Sequence, residues 1–212
     1  MKFAGRKDII KEVQINLGLT PDGIDGPKTW KLIWELVKTD EPPELKKKED
    51  NDYQETYKST PNQSGNISPK FIVLHHSSGS HDGTRSWILN SNSKVSYHYL
   101  IDDDGTRTQF VDDNKKAWHC GKSYWKGHYS LNSHSIGISF YGDTYTRRPS
   151  NIEIDSCAKK CLKLIKKFNL KEDAIITHKM IAPKRKNDPS EETHERVLKR
   201  IAEIKSKGIF PK

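Results

Sequence analysis

Cysteine is scarce. Three thiols in 212 residues, at Cys120, Cys157 and Cys161, are too few and too odd in number for a disulfide framework. Cys157 and Cys161 stand four apart in a helical pattern and so share a face, which predicts buried thiols rather than a redox pair or a metal site. Such a set suits a chain made in a reducing compartment. No run of about 18 apolar residues occurs, so no transmembrane helix and no membrane insertion are expected. The opening Met1-Lys2-Phe3-Ala4-Gly5-Arg6-Lys7-Asp8 turns to charge where the apolar stretch of a secretory leader would stand. Synthesis in the cytoplasm without a signal peptide is therefore expected. Histidine is missing from the first 74 residues, and all nine lie at or after His75. Any histidine chemistry belongs to the later part of the chain.

The net charge of +9 is unevenly spread. Residues 1–38 carry 7 basic and 5 acidic groups, residues 39–66 carry 4 and 7, and residues 67–212 carry 26 and 16. The basic later part suits either simple solubility or a polyanionic partner such as teichoic acid or a cell-wall face. No nucleic-acid-binding motif accompanies the charge, so no nucleic-acid partner is expected.

Composition divides the chain into three. In the first segment Ile9, Ile10, Val13 and Leu17 keep helical spacing, and Gly18 is a plausible stop. A turn-rich loop over residues 19–26 follows. Pro27 suits the first turn of a second helix, with Trp30, Ile33, Trp34 and Val37 on one stripe. Residues 1–38 are thus a small helical module. Residues 39–66, with Pro42-Pro43, a lysine run and few apolar side chains, look like a linker. From 67 to 212 helices and strands alternate. Strands are expected at 71–74, 97–101, 106–111, 136–141 and 174–177, with Asp103-Asp104-Gly105 closing a hairpin. A helix is expected near 85–89. Ser150 with Glu153 forms a capping box for the helix carrying Ile154, Cys157, Cys161, Leu164, Ile165 and Phe168. Ser190 opens a last helix with Val197, Leu198, Ile201 and Ile204 inward and Gly208 at its end. The expected fold class is α/β, a mixed central sheet flanked by helices.

His75 and His76 end the apolar strand 71–74, where sheet enzymes present ligands to a cleft. Neighbouring side chains on a strand point to opposite faces, so at most one of the two easily faces a given metal. His178 also follows a short strand. Asp188 stands ten residues on, beyond Ala182-Pro183, in a loop that the Ala-Pro and Asp-Pro steps keep non-helical. Two histidines, one carboxylate and an open fourth position make a catalytic zinc pattern. The spacing alone is looser than a helical HExxH signature.

Five strings, in order, carry a resemblance. They are Phe71-Ile72-Val73-Leu74-His75-His76-Ser77-Ser78; Ser96-Tyr97-His98-Tyr99-Leu100-Ile101 with Asp104-Gly105-Thr106; Ala117-Trp118-His119-Cys120-Gly121-Lys122-Ser123; Asn132-Ser133-His134-Ser135-Ile136-Gly137-Ile138; and Thr177-His178 through Ile181-Ala182-Pro183, Arg185-Lys186 and Asp188-Pro189. Together they resemble the type 2 N-acetylmuramoyl-L-alanine amidases, which include phage endolysins and peptidoglycan recognition proteins. The resemblance implies Zn2+ held by His75, His178 and Asp188, with His76 outside the set. It implies that Lys186 sits near the transition-state oxyanion, that Tyr97 assists catalysis, and that Trp118 and His119 line the substrate cleft. Lys186 also suits a solvated charge run, and Tyr97 also suits strand packing. His98 is expected to face away from the metal, and His76, His81, His128, His134 and His194 to be structural or exposed. The wall-recycling branch carries Glu where this chain has Ser139. Cys120 replaces the alanine of the family string.

In the first segment, Val13-Gln14, Leu17 and Leu19-Thr20-Pro21-Asp22-Gly23-Ile24-Asp25-Gly26-Pro27-Lys28-Thr29-Trp30 resemble a helical peptidoglycan-binding domain. Trp30 and Trp34 fit its core better than a sugar-stacking role. The combined expectation is a monomeric, zinc-dependent amidase acting on bacterial peptidoglycan as a phage endolysin, made in the host cytoplasm and reaching the wall after release. The alternatives are a cytosolic amidase recycling wall fragments and a non-catalytic peptidoglycan sensor on the same fold.

Overall fold

The computed structural model describes residues 52–208. The chain divides into two units, Met1–Asn51 and Asp52–Lys212. The expected helical module at 1–38 and the first part of the expected linker lie outside the described residues.

The later unit is built on a six-stranded sheet. Its strands are β1 (Glu55–Tyr57), β3 (Phe71–His76), β4 (Tyr99–Ile101), β5 (Arg107–Gln109), β9 (Ser135–Phe140) and β10 (Ile175–Thr177), in the order β1-β5-β4-β9-β3-β10. Only the β4–β5 pair is antiparallel, turning through Gly105 at φ +81°; every other pairing is parallel. β2 (Gln63–Asn66) pairs with β6 (Lys115–Ala117), and β7 (Tyr124–Trp125) with β8 (His128–Tyr129), as two separate ribbons.

Alternation along β3 and β9 explains the layers. Ile72, Leu74, Ile136, Ile138 and Phe140 point to one face, where α2 (Asn151–Phe168) and α4 (Glu191–Ser206) cover them. Ile154, Cys157, Ala158 and Cys161 supply the α2 side, and Val197, Ile201 and Ile204 the α4 side. Both thiols of α2 are buried and free, as their spacing predicts. Phe71 and Val73 point to the other face and pack with Leu131, Ile176 and Ile181. His75 continues that second row. The expected caps are present. Ser150 and Glu153 close a reciprocal capping box, and the Ser190 hydroxyl accepts from the Thr193 amide. The mixed sheet with flanking helices therefore matches the expected class. α1 (His81–Leu89) lies over the far end of the second face, with Ile88 beside Leu100 and Phe110.

One expectation needs correction. Residues 52–66, placed in the linker, pack into the unit: β1 extends the main sheet and β2 pairs with β6. Their polar composition hid this, because charge rather than apolar burial anchors them. Arg107 is fully buried; its Nε donates to Glu55 at 3.0 Å and its Nη2 to Asp52.

Candidate active site

Two strand ends and one loop bring the site together. His75 is the fifth residue of β3, and register with β9 sets it beside Ser139 on the second face. His178 directly follows β10 as the first residue of the short helix α3 (His178–Ile181). The loop after α3 returns Asp188, whose backbone carbonyl accepts from the Lys179 amide at 3.0 Å. The result is a near-equilateral triangle. His75 Nδ1 lies 3.1 Å from His178 Nδ1 and 3.2 Å from Asp188 Oδ2, and His178 Nδ1 lies 3.1 Å from Asp188 Oδ2. All three side chains are buried. His76 faces away: its Nδ1 bonds the Thr144 hydroxyl at 2.9 Å and accepts from the Thr144 amide.

Protons do not satisfy this triangle. The other ring nitrogen of His178, Nε2, stands 3.1 Å from the Cys120 carbonyl, which can only accept. Nε2 therefore carries the proton and Nδ1 presents a lone pair. Burial would raise the Asp188 carboxyl, but its closeness to the His178 and His75 rings outweighs this and holds the group well below the ordinary carboxylate range. Burial, the largest cause, pushes His75 down to about 4, so its ring is neutral near pH 7. Electron pairs converge with too few protons between them, a donor set that suits a cation. Tetrahedral zinc with ligand bonds of about 2.0–2.1 Å has ligand–ligand edges of about 3.3 Å, close to the triangle's sides. Among the described residues a second group, His75, His119 and Cys120, also brings metal-binding atoms close together. It shares His75 through the opposite ring nitrogen: Nε2 is 2.9 Å from His119 Nδ1, which is 3.1 Å from Cys120 Sγ.

Tyr97 stands over His75, with ring centroids 5.2 Å apart. Burial, then the Asp188 charge, raises its phenol well above the ordinary value despite a hydrogen bond with Ser139. It remains a neutral O–H.

Residues 65–191 match the family described as N-acetylmuramoyl-L-alanine amidase. The chain belongs to this family. It is similar to the N-acetylmuramoyl-L-alanine amidase AmiD of Escherichia coli strain K12, with 28% identity over 135 residues, 57% of this chain and 48% of AmiD. It is also similar to the 1,6-anhydro-N-acetylmuramyl-L-alanine amidase AmpD of Salmonella typhimurium strain SL1344, with 38% identity over 96 residues, 45% of this chain and 51% of AmpD. The chain spans about half the length of the curated relatives it matches. Among solved structures, a selenomethionine derivative of AmpD superposes with a TM-score of 0.60 at 25% identity, over 71% of this chain and 97% of that one. The catalytic domain of XlyA shares the fold, with a TM-score of 0.56 at 20% identity, over 70% and 99% of the two chains.

Within this amidase-family unit the remaining expected site residues divide. Lys186 is exposed on the loop between α3 and Asp188, and its charge is felt at both His75 and His76. Trp118 is half-buried, its indole donating to Ser64 of β2 at 3.0 Å. His119 is expected to line the substrate cleft together with Trp118. It is 6% exposed and packed edge-on against His75 at 5.0 Å between centroids. His98 does face away, bonded to the Lys115 carbonyl and the Gly137 amide.

Sequence reasoning missed the frame around these groups. Asn132 Oδ1 accepts from the amides of both His119 and Cys120, at 3.0 and 2.6 Å, and so fixes the carbonyl that orients His178. Arg185 Nη2 donates to the same Cys120 carbonyl at 2.5 Å. The asparagine and glycine of Asn132-Ser133-His134-Ser135-Ile136-Gly137-Ile138 were visible as a string, but no local pattern says what a side-chain amide 12 residues from its partner will bind.

Proposed function

We propose that this chain hydrolyses the amide bond between N-acetylmuramic acid and L-alanine in bacterial peptidoglycan, using zinc held by His75 Nδ1, His178 Nδ1 and Asp188. The observation that carries this reading is the triangle of three buried lone-pair donors, with the His178 tautomer set by the Cys120 carbonyl. When bound, zinc supplies Lewis acidity to polarise the scissile carbonyl and lowers the pKa of water.

The chain's own groups do the rest. Asp188, kept ionised, balances the site's charge and completes the donor set. Tyr97, kept protonated with its ring centroid 5.2 Å from that of His75, would offer an O–H to the oxygen on which charge develops. Lys186 adds a positive charge at the rim that favours the same oxyanion. Ser139 has no acidic proton acceptor to offer in place of the recycling branch's glutamate, so Tyr97 and Lys186 carry the polar chemistry around the metal. The presence of all three donor residues favours catalysis over a sensor that has lost a ligand.

The test is to incubate the purified protein with peptidoglycan, with and without a zinc chelator, and to assay new L-alanine amino termini. Chelator-sensitive release supports the reading. No release from zinc-loaded protein sinks it, and release of reducing sugars would indicate a glycosidase.

The biological setting has two readings. The first segment's resemblance to a wall-binding module favours an endolysin acting on intact wall. The similarity to proteins named as 1,6-anhydro-N-acetylmuramyl-L-alanine amidases favours an enzyme that takes soluble fragments. Turnover of intact sacculi against a soluble anhydromuramyl peptide separates them. Deleting residues 1–38 should weaken sedimentation with sacculi and spare soluble turnover in the first reading only.

A further inference from the structure

We propose that His119 is a positioning residue for the metal site: it fixes the ring of His75 so that the Nδ1 lone pair, and not an N–H, faces His178 and Asp188. The proposal rests on the metal centre formed by His75, His178 and Asp188.

The argument follows the protons. His75 Nδ1 faces the two other donors of the metal centre, so a neutral His75 ring that offers Nδ1 to a metal carries its proton on Nε2. His119 Nδ1 stands 2.9 Å from that Nε2 and is the acceptor for it. The proton between the two rings then belongs to His75 Nε2, and His75 Nδ1 is the bare nitrogen. This is the arrangement by which an outer hydrogen bond sets the tautomer and orientation of a metal-binding imidazole. His178 receives the same service from the Cys120 carbonyl. Both rings are thus aligned from behind, by groups within one short stretch, 119–120, whose amides are clamped by Asn132.

The packing is shaped for this ring. A Cβ on Gly137 would fall 2.6–2.9 Å from three atoms of the His119 imidazole, closer than side-chain carbons ever sit. Glycine in β9 therefore clears the space His119 occupies, which explains a residue that weakens a strand interior. The rival assignment, with His119 and Cys120 as direct ligands, would require the His75 Nε2 proton to be absent.

The experiment measures zinc affinity by competition with a chromogenic chelator, alongside the spectrum of the cobalt-substituted protein and the melting of the metal-free form. H119N keeps an acceptor oxygen close to the place of Nδ1, whereas H119L keeps bulk and loses it. We expect H119L to bind zinc about 10–100-fold more weakly, H119N to recover most of that loss, and G137A to weaken binding by displacing the ring. Should H119L not fold, the ratio of H119N and G137A to wild type still decides. Wild-type zinc affinity in both H119L and G137A, with only KM for substrate raised, overturns the proposal and returns His119 to the cleft. A cobalt–thiolate absorption band that vanishes in C120A also overturns it, by making His119 and Cys120 ligands. Wild-type protein that takes up no zinc removes the metal centre itself, a result distinct from either.

Discussion

Nε of Arg107 donates to Oε2 of Glu55 at 3.0 Å, joining the first strand of the sheet to a guanidinium with no exposed surface. Asp52 and the Tyr53 carbonyl meet the same side chain, as does the Ser156 carbonyl of α2 at 3.1 Å. Lys160 closes the cluster on both Glu55 oxygens at 3.0 Å. A buried cation stripped of its carboxylates is costly, on the order of 3–5 kcal/mol. A fragment beginning at residue 52 should therefore fold and melt as the later unit does in the full chain. One beginning at residue 67 loses β1, β2 and both carboxylate partners of Arg107, and should be destabilised by at least that amount. Urea unfolding of the two fragments checks this, and equal midpoints would show that residues 52–66 anchor nothing.

Removing a metal donor and removing the rim charge should separate binding from rate. His178→Ala deletes one corner of the triangle and is expected to abolish both zinc uptake and turnover. Lys186→Ala leaves the triangle intact because its exposed side chain lies outside it. It should keep stoichiometric zinc and lose about 100–1000-fold in kcat, consistent with loss of one oxyanion-stabilising group. Zinc content by atomic absorption and turnover on the same samples decide. Unchanged kcat would remove Lys186 from the mechanism.

Tyr97→Phe isolates a single hydroxyl. The ring keeps its contact with His75 while the O–H near Ser139 is lost. The expected effect is a fall in kcat of about two orders of magnitude, with zinc affinity and KM little changed. A rise in KM at constant kcat would assign the tyrosine to ground-state binding instead.

Much of the fold is legible in residue order because local physics dictates it. The unbroken apolar run Phe71-Ile72-Val73-Leu74 announces a strand buried on both faces, and Ser150 with Glu153 announces a helix start two residues before its first apolar residue, Ile152. The split between His75 and His76 follows from strand alternation alone. What could not be read is what depends on partners far away in sequence. Glu55 and Asp52 look like linker charges until Arg107, more than 50 residues on, is buried against them. That His119 needs the space a glycine leaves at Gly137, 18 residues on, is not visible in the sequence either. The pairing of Cys120 with His178 is likewise hidden, because it is made by a carbonyl, and carbonyls carry no residue identity.

His98 predicts a pH dependence whose direction follows from its bonds. Its Nδ1 accepts from the Gly137 amide at 2.9 Å, and its Nε2 therefore donates to the Lys115 carbonyl at 2.9 Å. The neutral ring is fully satisfied, and a second proton would have to displace the Gly137 bond. Burial lowers its pKa from 6.5 to about 4, against the opposing pull of the Lys115 carbonyl and of Asp113. Above pH 6.5 the ring is neutral whether the chain is folded or not, and its contribution to stability is complete. As the pH falls from 6.5 toward 4 the unfolded chain takes up the proton first, so stability is progressively lost, by roughly 3 kcal/mol at the lower limit. His98→Gln removes the titration and should flatten that part of the curve, though it lowers stability at pH 7.5 through its imperfect fit. The comparison belongs in metal-free protein, where zinc release does not add its own pH dependence, with urea midpoints taken from pH 7.5 to 4. Parallel curves for wild type and variant would mean that the buried ring is not held neutral by the fold.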